Sequence, residues 1–204
     1  LAEQLKVGRA AVREALKRLE AMGIVKVSHG RKTVIEKIDL DNLFGSVSKI
    51  LELTPVDVLH LLEAKEIIES RCIELAAERA TPEDFTEMQH YLNEMRQFRE
   101  HPSKHAKADF LFHSSIVKAA KNPIIMEIMK LIGRMIERAI EETAIEDDIE
   151  GRDRAMKYHQ QLFDAVRKRD PATGTSILRQ HSHESRSRYR EMYERHHHNL
   201  DSTV

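Results

Sequence analysis

Three histidines and an aspartate fall at positions where helical periodicity calls for apolar side chains. In "KADFLFHSSIVKAA", Asp109 and His113 are four residues apart, so one helical turn places them on the face that carries Ile116, Val117 and Ala120. In "RAMKYHQQLFDAV", His159 lies between Met156 and the group Leu162, Phe163 and Val166, and in "SILRQHSHESRSRY" His181 follows Ile177 and Leu178. Polar groups on the inner side of a helix must be satisfied or neutralised, because burial without a partner costs roughly 2–7 kcal/mol. One carboxylate and three imidazoles projecting inward from three helices make a donor set suited to Zn²⁺, Ni²⁺ or a similar divalent ion, with coordination positions left open. Taken singly, each histidine is more often a hydrogen-bonded core residue, and it is their combination that favours a metal.

A second kind of chemistry is written at the other end. In "VGRAAVREALKRLEAMGIVKVSHGRKTVIE", Arg9, Arg13 and Lys17 recur every four residues and share one face, while Val12, Ala15, Leu16 and Leu19 anchor the other. Small Ala10 and Ala11 at the helix start let the backbone approach a phosphate or base edge, and His29, Gly30 and Arg31 fall in a turn that could reach an adjacent groove or backbone. Residues 1–38 hold nine Lys and Arg against four Glu, or +5, within a chain of net charge −1, which leaves −6 for the remainder. A basic module joined to an acidic body points to a polyanion contact at one end.

The elements that must position these groups are mostly helical. With 204 residues, 41% hydrophobic and 33% charged, the chain accommodates one helical domain and a small companion, and no apolar run reaches the length of a membrane span. No signal peptide precedes the first helix, so a cytoplasmic protein is expected. The chain opens at Leu1, already inside a helical pattern, so a preceding helix is expected to be missing. Leu1 to Leu5 reads as a helix end, Lys6 to Gly8 as a turn, and Arg9 to Met22 as a second helix stopped by Gly23. Ile24–Val27 and Thr33–Ile38 read as strands of a hairpin wing, and Leu43–Leu51 as a short helix.

Thr54-Pro55 reads as an N-cap opening a helix to about Arg79, and Thr81-Pro82 repeats the device to about Arg99. Further helices are expected over Ser103–Ala120, Pro123–Ala144, Glu150–Lys168 and Pro171–Arg195. The predicted fold is mainly α: a winged helix-turn-helix, incomplete at its start, over 1–38; a linker with a short helix over 39–53; an antiparallel bundle of six or seven helices over 54–195; and a polar tail over 196–204.

The segment "LAEQLKVGRAAVREALKRLEAMGIV", with its VREAL block followed by LE-x-x-G-I-V, resembles the DNA-binding domain of the GntR family of bacterial transcription factors. That resemblance implies that Arg9 and Arg13 contact DNA from a recognition helix, with Gly30 and its neighbours in the wing. Here the wing reads Gly30-Arg31-Lys32-Thr33, where many members carry Gly-x-Gly-Thr. The helical body, with Asp-x-x-x-His, two later histidines 22 residues apart and "ELAAERAT" at Glu74–Thr81, resembles the FCD effector domain of the FadR subfamily. It implies Asp109, His113, His159 and His181 as metal ligands, and a small carboxylate effector whose oxygens complete the metal shell. It also implies a homodimer on double-stranded operator DNA, acting as a repressor or activator and not as an enzyme. Where the family often has an arginine near the start of the first long helix, this chain has Glu63-Ala64-Lys65, so Lys65 would hold the acid as a point charge.

The rival reading is a helical-bundle metalloenzyme acting on a small organic acid. Glu87-x-x-His90 and Glu194-x-x-His197 satisfy the Glu-x-x-His spacing of di-iron carboxylate sites, although the second falls at the polar tail. No Ser/His/Asp or Cys/His combination stands out. His183 should point away from His181; His60, His90, His101 and His105 read as surface or interhelical residues. Cys72, Met126, Met129 and Met135 read as core filler.

Overall fold

A computed structural model describes residues 2–21, 25–26, 33–35, 57–143 and 149–201. The chain forms two compact units, Leu1–Thr54 and Pro55–Val204.

In the first unit a short helix α1 (Ala2–Leu5) turns through Lys6, whose φ of 54° lies in the left-handed region, into α2 (Arg9–Ala21). The turn is closed by Val7 N–H donating to Ala2 O at 3.1 Å, and α2 begins with Val12 N–H donating to Gly8 O at 3.2 Å. Val12, Leu16 and Leu19 are half-buried, whereas Ala11 and Ala15 are exposed, so the anchoring face of α2 is narrower than its apolar pattern suggests. Strands β1 (Val25–Lys26) and β2 (Val34–Ile35) pair antiparallel, Val25 opposite Ile35 and Lys26 opposite Val34. Val25 is buried, and β1 packs on α2. The turn of the expected wing, with His29, Gly30 and Arg31, and the short helix expected over 43–51 lie outside the described residues.

Six described helices make up the second unit: α3 (Val58–Arg79), α4 (Pro82–Gln97), α5 (Pro102–Ala119), α6 (Pro123–Thr143), α7 (Ile149–Arg167) and α8 (Pro171–Asp201). Four of them begin at a proline, whose fixed φ suits the first helical turn and whose missing N–H would have had no helical partner there. The N-cap of α3 is Asp57, which accepts from Leu59 N–H at 2.8 Å. The start expected at Thr54-Pro55 lies outside the described residues. Thr81 opens α4 with a reciprocal capping box to Asp84, worth about 1 kcal/mol. Of the tail expected over 196–204, the described part is helical, since α8 continues to Asp201.

Helix α3 packs against α5, α6 and α8, α4 against α5 and α7, and α7 against α8. The core runs through Ile73, Met88, Leu92, Met95, Phe112, Ile116, Leu162, Val166 and Leu178, with a second cluster of Cys72, Val117, Ala120 and Met129. The Cys72 thiol is fully buried, and burial followed by the nearby Glu69 charge pushes its pKa up to about 11, so it packs as an apolar group. At Gly174 an added Cβ would stand 2.8 Å from Ile73 Cγ2, so glycine is what lets α8 close onto α3. Two arginines satisfy carbonyls that helix ends leave open. Arg169, itself at φ 60°, donates to Ala77 O at 2.7 Å and Ala80 O at 2.8 Å, and Arg79 donates to Ala120 O at 2.8 Å.

Candidate metal centre

The bundle brings Asp109 and His113 from α5, His159 from α7 and His181 from α8 to one point. One donor atom from each lies within 4.8 Å of all the others. His159 Nε2 stands at the middle: 3.1 Å from His113 Nε2, 3.2 Å from His181 Nε2 and 3.1 Å from Asp109 Oδ1. The three imidazoles are buried, while the Asp109 side chain is 33% exposed, so the cluster is closed on its histidine side and open at its carboxylate. Around it, Phe112 packs on His159 with ring centroids 5.2 Å apart, and Tyr158 on His181 at 5.6 Å.

Hydrogen bonding alone does not resolve this arrangement. A neutral imidazole offers one N–H and one lone pair, on different nitrogens. If His159 Nε2 carries the proton, it can point at one of three neighbours. If it does not, its lone pair faces the Asp109 carboxylate. Protonating the rings is disfavoured too, because burial, followed by the neighbouring imidazoles, holds the pKa values of His159 and His181 well below the usual 6.5. A divalent cation at the centre turns every one of these contacts attractive. Two donors about 2.0–2.2 Å from such an ion are at most roughly 4.4 Å apart, so the widest pair must close by a few tenths of an ångström. The donor set therefore fits a borderline transition ion such as Zn²⁺ or Ni²⁺, which when bound acts as a Lewis acid with positions free for oxygen ligands.

One residue set directly behind the cluster escapes the sequence reading. Glu69 of α3 is 2% exposed, with Oε1 3.1 Å from His113 Nδ1 and Oε2 accepting from Lys65 Nζ at 3.0 Å. The approach to His113 lies off the line of a straight hydrogen bond, so it is foremost an attraction between the carboxylate charge and the Nδ1 side of the imidazole. Burial raises the Glu69 pKa, but the His113 imidazole and the Lys65 ammonium more than offset it, leaving a value of about 2. A carboxylate behind a histidine fixes which nitrogen carries the proton, and so turns Nε2 toward the cluster. The signal was present: Glu69 shares a helical face with Cys72, Ile73 and Ala76, the same anomaly that marks the histidines. His159 has no such support, since its Nδ1 lacks a hydrogen-bond partner among the described residues. Lys65, expected to meet an effector, is 16% exposed and paired with Glu69.

The other candidates separate cleanly. Arg9, Ala10, Arg13 and Lys17 are all exposed on α2, where Arg9, Arg13 and Lys17 form a cationic stripe. His183 is exposed, as expected. Glu87 pairs with Lys118 at 2.6 Å, and His90 is 61% exposed beside Glu94, so neither joins the four-residue cluster; the His197 side chain of the second Glu-x-x-His lies outside the described residues. His105, expected at the surface or between helices, is 5% exposed with Nε2 unpartnered among the described residues.

Comparison with known proteins adds an independent line. Residues 60–184 match the FCD domain, and residues 1–35 match the bacterial regulatory proteins of the gntR family. The chain is 34% identical over 143 residues to the HTH-type transcriptional regulator LutR of Bacillus subtilis, covering 70% of this chain and 65% of that protein. It is 28% identical over 178 residues to the HTH-type transcriptional repressor NanR of Cronobacter sakazakii, covering 86% of this chain and 68% of the relative. The chain thus spans about two thirds of the length of these relatives. A GntR structure from Streptococcus agalactiae superposes with a TM-score of 0.66 at 23% identity, covering 91% of this chain and 85% of the other, and so shares the fold. These matches are to regulators and not to enzymes, which sets the metalloenzyme alternative aside. The chain belongs to the GntR family of bacterial regulatory proteins and carries its FCD effector domain.

Proposed function

We propose that this chain is a DNA-binding transcriptional regulator whose FCD domain holds a divalent ion, Zn²⁺ or Ni²⁺, on Asp109, His113, His159 and His181, and senses a small carboxylate. The observation that carries it is His159 Nε2 facing three metal-donor atoms at 3.1–3.2 Å, of which its own single N–H could satisfy only one. An effector carboxylate would enter on the exposed Asp109 side and complete the metal shell, with Lys65 as the cation on α3 assigned to the acid. Arg9, Ala10, Arg13 and Lys17 of α2 would meet operator DNA, joined by His29, Gly30 and Arg31 of the wing. A cytoplasmic homodimer would present two such helices to two half-sites. No described helix is long and apolar enough to cross a membrane.

The test is DNA binding by metal-loaded and chelator-treated protein, on a duplex selected by the wild-type protein from random sequence, with and without added carboxylates. A carboxylate should change the affinity of the loaded form by about 5- to 150-fold, the usual range of coupling between two sites, and leave the stripped form unchanged. Equal responses from both forms would contradict the reading.

A further inference from the structure

A second polar tier lies beyond the metal cluster, toward one end of the bundle. His105 is one turn before Asp109 on α5, Arg152 two turns before His159 on α7, and Arg188 two turns after His181 on α8. Steps of four and seven residues return nearly to the same helical face, and at about 1.5 Å per residue they correspond to roughly 6 and 10 Å along the axis. Helices α7 and α8 run antiparallel through a short connection, so the start of α7 and the later turns of α8 fall at one level.

Contacts across the helices hold these groups in place. Arg152 is 4% exposed, and its Nε donates to Arg99 O at 2.9 Å. Arg99 in turn grips Asp153 with two hydrogen bonds of 2.7 Å, so the α4–α5 connection is stitched to the start of α7. The Arg188 guanidinium lies against Gly151, where an added Cβ would collide with it. A side chain at 151 would push this cation off α7. His105 feels the charges of Asp109, Arg152 and Asp153, and its buried Nε2 has no hydrogen-bond partner among the described residues.

Two guanidiniums and a buried, unsatisfied imidazole nitrogen on the ligand-bearing faces have the chemistry of an anion seat, because guanidinium matches a carboxylate in planar, charge-assisted geometry. We infer that the effector carries two acidic groups: one carboxylate at the metal, and a second held by Arg152, Arg188 and His105. This inference rests on the carboxylate-sensing reading above. It assigns the second tier to discrimination between dicarboxylic and monocarboxylic acids.

Calorimetric titration of the metal-loaded chain compares acetate, propionate and butyrate with the dicarboxylates from malonate to adipate. At least one dicarboxylate should bind about tenfold or more tighter than every monocarboxylate. Arg188→Met and Arg152→Met should abolish that margin while leaving monocarboxylate affinity and metal content unchanged. Gly151→Ala, which displaces Arg188 without removing charge, should narrow it. If the buried Arg152→Met loses its helical circular dichroism, the half-buried Arg188→Met carries the test. Monocarboxylate binding with no preference for any dicarboxylate, or a preference that survives in the folded variants, would overturn the inference and leave the sensing reading intact. Failure of every carboxylate to bind would remove both.

Discussion

Glu69 Oε1 lies 3.1 Å from His113 Nδ1 inside the bundle, while the carboxylate's other oxygen is tied to Lys65. The cluster-facing histidine of α5 therefore has its outer nitrogen set against a carboxylate of α3, a helix that contributes no donor to the cluster. Position and charge are both supplied from outside the four ligands.

From this relationship, Glu69→Gln should keep the fold but weaken metal binding by roughly 10- to 100-fold, the usual effect of losing a carboxylate behind a ligating histidine. Competition against a chromophoric chelator reads the affinity directly. Unchanged affinity would show that His113 needs no support from α3.

Acid should destabilise the chelator-treated protein by a sign that follows from the buried groups. His159 and His181 have folded pKa values depressed below 6.5, so the unfolded chain binds more protons in that range. Their contribution to stability is complete above pH 6.5 and is lost as pH falls below it. Glu69, with a folded pKa of about 2 against an ordinary 4.5, adds a second loss below pH 4.5. The thermal midpoint measured by circular dichroism should therefore drop between pH 7.5 and 5.5; a constant or rising midpoint would contradict buried neutral imidazoles.

On α2, Arg9→Ala and Arg13→Ala should each weaken binding to a selected duplex and reduce the slope of log affinity against log salt by about 1, one phosphate contact per cation. Fluorescence anisotropy at several salt concentrations supplies both numbers. A slope that does not move would take this stripe off the DNA.

The helical body was legible because its signals are local. Prolines at 82, 102, 123 and 171 and the Thr81 capping box mark helix starts, and inward polar residues stand out against a 3.6-residue period. The gathering of Asp109, His113, His159 and His181 could be posed from the same periodicity. Their distances could not, since these depend on how α5, α7 and α8 pack. Glu69 was missed although its face betrayed it, because a carboxylate among Lys and Glu neighbours reads as surface until packing brings His113 to it. Ala11 and Ala15 misled in the opposite sense: alanine is as compatible with an exposed helix face as with a buried one, and the structure exposes both.

X-ray absorption spectroscopy of the metal-loaded chain, with residues 196–204 deleted to remove His196 to His198, tests the centre most directly. The expected spectrum has three imidazole ligands with metal–nitrogen distances of about 2.0–2.1 Å and at least one oxygen shell. A shell fitted by sulfur, or by fewer than two imidazoles, would contradict a centre built on His113, His159 and His181.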